Sequence, residues 1–285
     1  MRFTKMQGLG NDFLVIDDRS GVERPWPELA RRLCDRRRGV GGDGLLLVRG
    51  SEVADLRMTL VNADGSEGEM CGNGVRCTAV WAAERGVAGD RVAWETAAGP
   101  VITELLGGAM VRVDMGVPRF AAAEIPVLAG EEDLLDLALE VRHQGASLAM
   151  RGAAVGMGNP HLVVDIASLR PAWTGTLDDL DALAVGTALQ RLPIFPAGVN
   201  VELVAPAGPR RVRQRTVERG VGETDACGTG ACAAVVALRR RGALAAQGEV
   251  EVELRGGMLV VDWDGAGPVR MTGAAISVFE GEVAV

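Results

Sequence analysis

Lysine is almost missing from this chain of 285 residues: Lys5 is the only one, in the strand-like opening segment, and arginine carries the rest of the positive charge. An enzyme that uses pyridoxal phosphate needs a lysine for its Schiff base, so that cofactor is not expected. Tyrosine is absent, and the two histidines are His143 and His161. No G-x-x-x-x-G-K-[ST] segment occurs, which excludes a P-loop nucleotide site. No uninterrupted apolar run reaches the ~18 residues that a membrane span requires. The opening Met-Arg-Phe-Thr-Lys shows no apolar h-region and no cleavage site of a secretory signal. A cytoplasmic protein with no membrane partner is expected. The net charge of −8 argues against nucleic acid, whose binding rests on Lys and Arg placed on phosphates. The arginine runs at 36–38, 210–215 and 239–241 read as helix ends and solvated edges.

Five cysteines, an odd number, read as reduced thiols in such a chain. The spacings Cys71-x5-Cys77 and Cys227-x4-Cys232 miss the C-x2-C knuckle of structural zinc sites, and only two histidines could join them. No metal is expected. The segment from Gly39 to Gly44 matches G-x-G-x-x-G, but it follows a helix-like stretch and leads into the strand-like Leu45-Leu46-Leu47-Val48. A dinucleotide fingerprint needs strand before helix, so this match is set aside.

What the chain does contain is a duplication. Cys71-Gly72-Asn73-Gly74 returns as Cys227-Gly228-Thr229-Gly230, and each copy runs into an alanine-rich apolar segment ending at Arg85-Gly86 or Arg241-Gly242, an offset of 156 at both ends. Gly8-Leu9-Gly10-Asn11 before Phe13-Leu14-Val15-Ile16-Asp17 returns at an offset of 148 as Gly156-Met157-Gly158-Asn159 before His161-Leu162-Val163-Val164-Asp165. One internal period near half the chain length implies two similar lobes related by a pseudo-twofold axis. The expected fold is α+β: each lobe a β-sheet or barrel wrapped around a central helix, residues 1–118 forming the first and 119–273 the second. Residues 274–285 are expected to return to the first lobe, and the active site to lie in the cleft between the two.

Along the chain, strands are expected at 2–7, 13–17, 44–48, 55–61, 91–96, 101–105 and 110–115, with a helix from Glu28 to Arg37 and a loop over 62–70. The stretch after Gly74 is apolar round most of its circumference, as a buried central helix requires, and Gly86 reads as its left-handed C-cap. In the second half, the acidic, leucine-rich stretch Glu131–Leu139 reads as a helix, as does Asp178–Leu192, and strands fall near 152–156, 161–166, 199–204, 211–217, 249–254, 257–263 and 268–272.

A cysteine on a glycine-rich turn at a helix start lies beside unpaired N–H groups and the positive end of the helix dipole, so its thiolate is expected to be favoured. The glycines that follow let a carboxylate approach the same N–H groups. Two such cysteines on opposite sides of a stereocentre meet the demand of inversion, which removes a proton from one face and returns one to the other. Cys34, Cys77 and Cys232 lack this context and read as small core residues.

Asn62 to Glu67 with Glu69-Met-Cys-Gly-Asn-Gly74, Gly158-Asn-Pro-His161, the stretch from Glu218 to Cys232, and Lys5-Met-x-Gly-Leu-Gly-Asn-Asp-Phe13 closely resemble the diaminopimelate epimerase family over nearly the whole chain. The resemblance implies a cofactor-independent interconversion of LL- and meso-diaminopimelate in bacterial lysine and cell-wall precursor synthesis. It implies Cys71 and Cys227 as the two acid–base thiols, with His161 and Glu218 as their polar neighbours. Asn11, Asn62, Asn159, Asn200, Glu218 and Arg219 would hold the distal end of the substrate, and backbone groups of Gly72, Asn73, Gly228 and Thr229 its proximal carboxylate. The expected partners are this small molecule and a second copy of the chain in a homodimer. One departure is that Gly44 stands where some family members place Gln.

Two other readings fit the residues. A proline racemase or hydroxyproline epimerase would share the two-thiol chemistry, but such relatives tend to have His at the place of Asn73, and a cyclic substrate has little use for Arg219. A binding or redox protein would use Cys71 and Cys227 as a switchable disulfide.

Overall fold

The computed structural model of the protein describes residues 1–68, 71–128, 133–143, 145–169 and 173–285. The chain divides into two compact units, Met1–Asp114 with Thr272–Val285, and Met115–Met271.

In the first unit the strands are β1 (Arg2–Gly8), β2 (Asn11–Asp17), β3 (Gly44–Arg49), β4 (Leu56–Asn62), β5 (Glu67–Gly68), β6 (Arg91–Thr96), β7 (Gly99–Leu105) and β8 (Met110–Asp114), with helices α1 (Trp26–Leu33) and α2 (Gly72–Glu84). The second unit contains β9 (Leu137–His143), β10 (Ala146–Gly156), β11 (Pro160–Asp165), β12 (Asn200–Pro206), β13 (Arg211–Glu218), β14 (Gly222–Thr224), β15 (Val250–Leu254), β16 (Gly257–Asp262), α3 (Ala182–Gln190) and α4 (Gly228–Arg240). A strand at Arg270–Ala274 (β17) precedes Ile276–Glu282 (β18), which pairs antiparallel with β1.

The two units repeat one wiring. The β2–β3 pair is parallel, β3–β4 and β4–β5 are antiparallel, β4–β6 is parallel and β6–β7 antiparallel. In the same order β11–β12 is parallel, β12–β13 and β13–β14 antiparallel, β13–β15 parallel and β15–β16 antiparallel. The parallel strands read as continuous apolar runs because both faces are covered. Leu14, Ile16, Leu45, Leu47 and Val61 pack on the outer helix α1, through Trp26, Leu29, Ala30 and Leu33. Leu162, Val164, Val201, Leu203 and Val217 pack in the same way on α3, through Ala182, Val185 and Leu189. By the alternation of a strand, residues between these point to the other face, where α2 and α4 lie against the strands. Both central helices are buried nearly throughout, as their composition requires.

Their ends also match. Gly86 (φ 62°) and Gly242 (φ 71°) adopt the left-handed conformation past the last turn. Gly86 N–H donates to Ala83 and Val87 N–H to Ala82, while Gly242 and Ala243 donate to Arg239 and Leu238, so each helix closes in a Schellman motif.

Some expectations need correction. The stretch Glu131–Leu139 lies partly outside the described residues, and its remainder enters strand β9, not a helix. Leu137, Leu139 and Val141 are buried while Ala138, Glu140 and Arg142 are exposed, a period of two that overrides helix propensity. Helix α3 begins at Ala182, later than expected, because the Asp181 carboxylate accepts the Ala184 N–H at 3.0 Å and caps it there. The loop expected over 62–70 includes Glu69 and Met70, which lie outside the described residues. Nor are all the arginines solvated: Arg239 is buried and donates to the carbonyls of Trp263 and Gly248, and Arg215 forms a bidentate pair with Glu223 on β14.

Candidate active site

Cys71 is the N-cap of α2, in extended conformation (φ −137°, ψ 112°), and its sulfur accepts the Gly74 N–H at 3.3 Å. The thiol donates to Asn11 Oδ1 at 3.5 Å, and Asn73 Nδ2 reaches the same oxygen at 3.4 Å. Asn11 comes from the β1–β2 turn, and its Nδ2 is held by Asp43 Oδ2. Asp43 in turn accepts the Asp12 N–H at 3.0 Å and the Arg36 guanidinium at 2.9 Å, and Arg36 and Lys5 both pair with Asp12. The single lysine is therefore spent in a buried ion pair. Burial works against the Asp12 carboxylate, but hydrogen bonds and charge from Arg36 and Lys5 outweigh it and bring its pKa to about 2. Beneath the turn, the fully buried Arg76 donates to Asn73 Oδ1 at 2.8 Å and to the Gly72 carbonyl at 3.1 Å, fixing the first residues of α2 from below.

Asn62 lies at the end of β4, paired across the ladder with Gly44, and its Nδ2 donates to Ser66. A Cβ added at Gly44 would sit 2.8 Å from the Val61 carbonyl oxygen. The departure at this position thus goes with a close backbone approach that leaves no room for a glutamine.

In the second unit Cys227 is the N-cap of α4 with nearly the same backbone angles (φ −125°, ψ 111°). Its sulfur lies 3.5 Å from Thr229 Oγ1. Here the expectation of a favoured thiolate fails. Burial, then the carboxylates of Glu218 and Glu202, raise the Cys227 thiol well above its ordinary pKa, and the Thr229 hydroxyl and Gly230 N–H only partly offset them. Glu218 is raised in turn, chiefly by burial, although Thr224 Oγ1 donates to it at 2.6 Å.

His161, also expected at this site, is wholly enclosed. Its Nδ1 lies 2.9 Å from Glu202 Oε1 and its Nε2 2.7 Å from Asn159 Oδ1. Glu202 was not foreseen from the sequence. It is fully buried on β12, and its Oε2 has no hydrogen-bond partner among the described residues. The signal was available: one acid inside the apolar run Val199-Asn-Val-Glu-Leu-Val204 costs too much to bury without a task. Gly230 makes room for it, since a Cβ there would lie 2.5 Å from Glu202 Oε1.

Asn200 and Arg219 answer less directly to expectation. The Asn200 amide is used within the fold, Nδ2 donating to the Pro160 carbonyl at 3.1 Å and Oδ1 accepting the Arg219 N–H at 2.9 Å, so it clamps β11 to the end of β13. The Arg219 side chain is exposed and donates through Nη1 to the Ala197 carbonyl at 2.8 Å. Gly72 and Asn73, and Gly228 and Thr229, open the first turns of α2 and α4. The remaining cysteines are core residues: burial pushes Cys34 up to about 11 and Cys77 up to about 12, and Cys232 is fully buried.

The duplicated α+β fold, two units each with a cysteine capping its central helix, is shared with known proteins. Among solved structures, a probable proline racemase from Agrobacterium radiobacter K84 superposes with a TM-score of 0.71 at 20% identity, covering 100% of this chain and 93% of that one. A PhzF-family phenazine biosynthesis protein from Bacillus anthracis does so at 0.67 and 18%, covering 100% and 99%. At such identities the likeness is one of fold alone. In sequence, the model of the family described as diaminopimelate epimerase matches residues 3–121 and 153–278. The diaminopimelate epimerase of Desulforudis audaxviator is 45% identical over 291 residues, 99% of each chain, and that of Carboxydothermus hydrogenoformans 44% identical over 286, again 99% of each. The chain belongs to the diaminopimelate epimerase family.

Proposed function

We propose that this protein interconverts LL- and meso-2,6-diaminopimelate by proton transfer at the α-carbon between two protein thiols, without pyridoxal phosphate, in bacterial lysine and peptidoglycan precursor synthesis. The observation that carries the reading is the pair of cysteines at equivalent N-cap positions of duplicated helices, in a chain of this family. Inversion needs a base on one face of the carbon and an acid on the other, and each unit supplies one thiol. The N–H groups of Gly72 and Asn73, and of Gly228 and Thr229, bind the proximal carboxylate and favour the charge that spreads onto it as the carbanion forms. The distal end is a zwitterion, so the Arg219 guanidinium takes its carboxylate and the Glu218 carboxyl its ammonium, with the asparagine amides around them.

Burial and neighbouring carboxylates favour the protonated form of Cys227, which equips it to donate. To act as the base in the opposite direction it first yields that proton, and Glu218, itself raised by burial, is placed to hold it. The protein works in the cytoplasm as a homodimer in this reading, and no helix among the described residues is long and apolar enough to cross a membrane.

The test is incubation of reduced, metal-stripped protein with LL-diaminopimelate in D2O, following deuterium at the α-carbon and the appearance of the meso isomer. Inversion with label uptake, lost in Cys71→Ala and Cys227→Ala alike, supports the two-thiol epimerase. No exchange with a folded, reduced sample would sink it and turn attention to proline-type substrates, for which Arg219→Ala would be without consequence.

A further inference from the structure

Two asparagines stand at equivalent places in the duplicated turns, Asn11 and Asn159, and the structure ties them down by opposite ends. The Nδ2 of Asn11 is taken by Asp43, so its Oδ1 faces the Cys71 thiol and Asn73. In Asn159 the oxygen is taken, by His161 Nε2 at 2.7 Å. An amide oxygen only accepts, so Nε2 carries a hydrogen. His161 Nδ1 then faces Glu202 Oε1 at 2.9 Å, a contact that takes one hydrogen, carried by Nδ1 against a carboxylate or by the carboxyl against a bare ring nitrogen, and in either form it fixes the orientation of the ring. Both side chains of that pair are fully enclosed, and Gly230 on α4 leaves the space the carboxyl occupies.

We propose that Glu202 is a positioning residue: by gripping His161 at Nδ1 it keeps the Nε2–H on Asn159 Oδ1, and so turns the Asn159 amide to offer its NH2 group to a carboxylate of the substrate. The two asparagines then present opposite polarity, Asn11 an acceptor and Asn159 a donor. The equivalent of Glu202 in the first unit is Leu46, against which a Cβ at Gly74 would rest at 3.0 Å. No ring needs holding there, because the equivalent of His161 is Phe13. A ring nitrogen fixed by the group behind it is the usual way a histidine tautomer is set. The carboxylate part of the proposal rests on the epimerase reading; the orientation of ring and amide does not.

Two histidines in the chain make a direct measurement possible. In protein labelled with 15N at histidine, long-range proton–nitrogen correlation spectra report which ring nitrogens of His161 carry hydrogen, with His143 as a reference in the same spectrum. We expect a protonated Nε2 in the wild type and in Glu202→Gln, whose amide donates to a bare Nδ1 and so keeps the hydrogen on Nε2. In Glu202→Leu, which copies the first unit, the ring loses its grip and the Nε2–H signature becomes a mixture. In parallel, Glu202→Leu should raise KM for diaminopimelate about tenfold or more, as loss of a hydrogen bond to a charged group does. Its kcat should stay within a factor of about three, and Glu202→Gln should restore KM. A bare Nε2 in the wild type would overturn the proposal, as would a Glu202→Leu protein that keeps both tautomer and KM. If Glu202→Leu does not fold, the wild-type and Glu202→Gln spectra decide. If the wild type inverts no diaminopimelate, the functional reading falls while the spectra still judge the orientation.

Discussion

Phe13 and Leu46 stand in the first half of the chain where His161 and Glu202 stand in the second, 148 and 156 residues later. The ladders place each pair alike: Phe13 is opposite Gly44 and His161 opposite Asn200, each in a parallel pair, with Leu46 and Glu202 two residues further along. Above Leu46 and Glu202 lie Gly74 and Gly230, in the first turns of helices capped by Cys71 and Cys227. One backbone therefore carries an apolar floor under the first thiol and a buried polar pair under the second. Duplication supplied two helix starts capped by thiols, and later divergence made their surroundings chemically distinct.

The largest effect should come from removing what the halves share. Cys71→Ala and Cys227→Ala should each lower epimerisation by about 10²–10⁴-fold, measured as LL-to-meso conversion. A thiol whose removal left the rate unchanged would reduce the chemistry to one base.

Next comes the difference between the floors. The double variant His161→Phe, Glu202→Leu rebuilds the apolar floor of the first unit in the second. Replacing a buried polar pair by apolar groups of similar size is often neutral or stabilising by about 1–4 kcal/mol, whereas deleting one member strands the other at a cost of about 3–5 kcal/mol. Urea unfolding should thus show the double variant at least as stable as the wild type and His161→Phe well below it, with activity reduced in both. A double variant as unstable as the single one would mean that the pair holds the fold, not the substrate.

The first unit has its own polar support, at the start of β2. There Asp12 is held at about 2 against an ordinary 3.8, so its contribution is fully present above the unfolded value and is lost as pH falls through the folded one. Asp12→Asn should cost about 1–2 kcal/mol near neutral pH, read by urea unfolding, and the gap to the wild type should close between about pH 4 and pH 2. A gap that persists at pH 2 would point to lost packing instead of lost charge.

These contrasts also mark what could be read without the structure. The duplication, the two capped helices and their glycine C-caps were legible because small residues at fixed spacing have few other uses. Cys71 and Cys227 stood out from Cys34, Cys77 and Cys232 for the same reason. The favoured thiolate was misjudged at Cys227 because local motif says nothing of burial, and burial is the first cause of its raised pKa. Glu202 went unseen for a related reason: its partner His161 lies 41 residues away, and only the parallel pairing of β11 with β12 brings the two together. Asn200 enters the candidate site only through the family resemblance, and the structure adds what the sequence does not show, that its amide bridges the Pro160 carbonyl and the Arg219 N–H.

The smallest expected effect tests the electrostatic side of the comparison. Three influences raise the Cys227 thiol: burial first, then the charge of Glu218, then that of Glu202. Glu218→Gln removes the second and leaves the first, the larger, so the pH at which Cys227 becomes reactive should fall only slightly. Alkylation by iodoacetamide across a pH series, with the Cys71 and Cys227 peptides quantified from one digest, measures this directly, since the thiolate is the reacting species. Glu218 carries a second consequence of opposite sign to that of Asp12. Its folded pKa is raised, so the stability it contributes is full below the ordinary carboxylate range and is lost as pH climbs through the folded value. Glu218→Gln should therefore be no less stable than the wild type near neutral pH while its Cys227 alkylates at lower pH. A Cys227 midpoint that rises in Glu218→Gln would show that the carboxylate draws the proton off the sulfur instead of holding it there, and would reverse the resting assignment of this thiol.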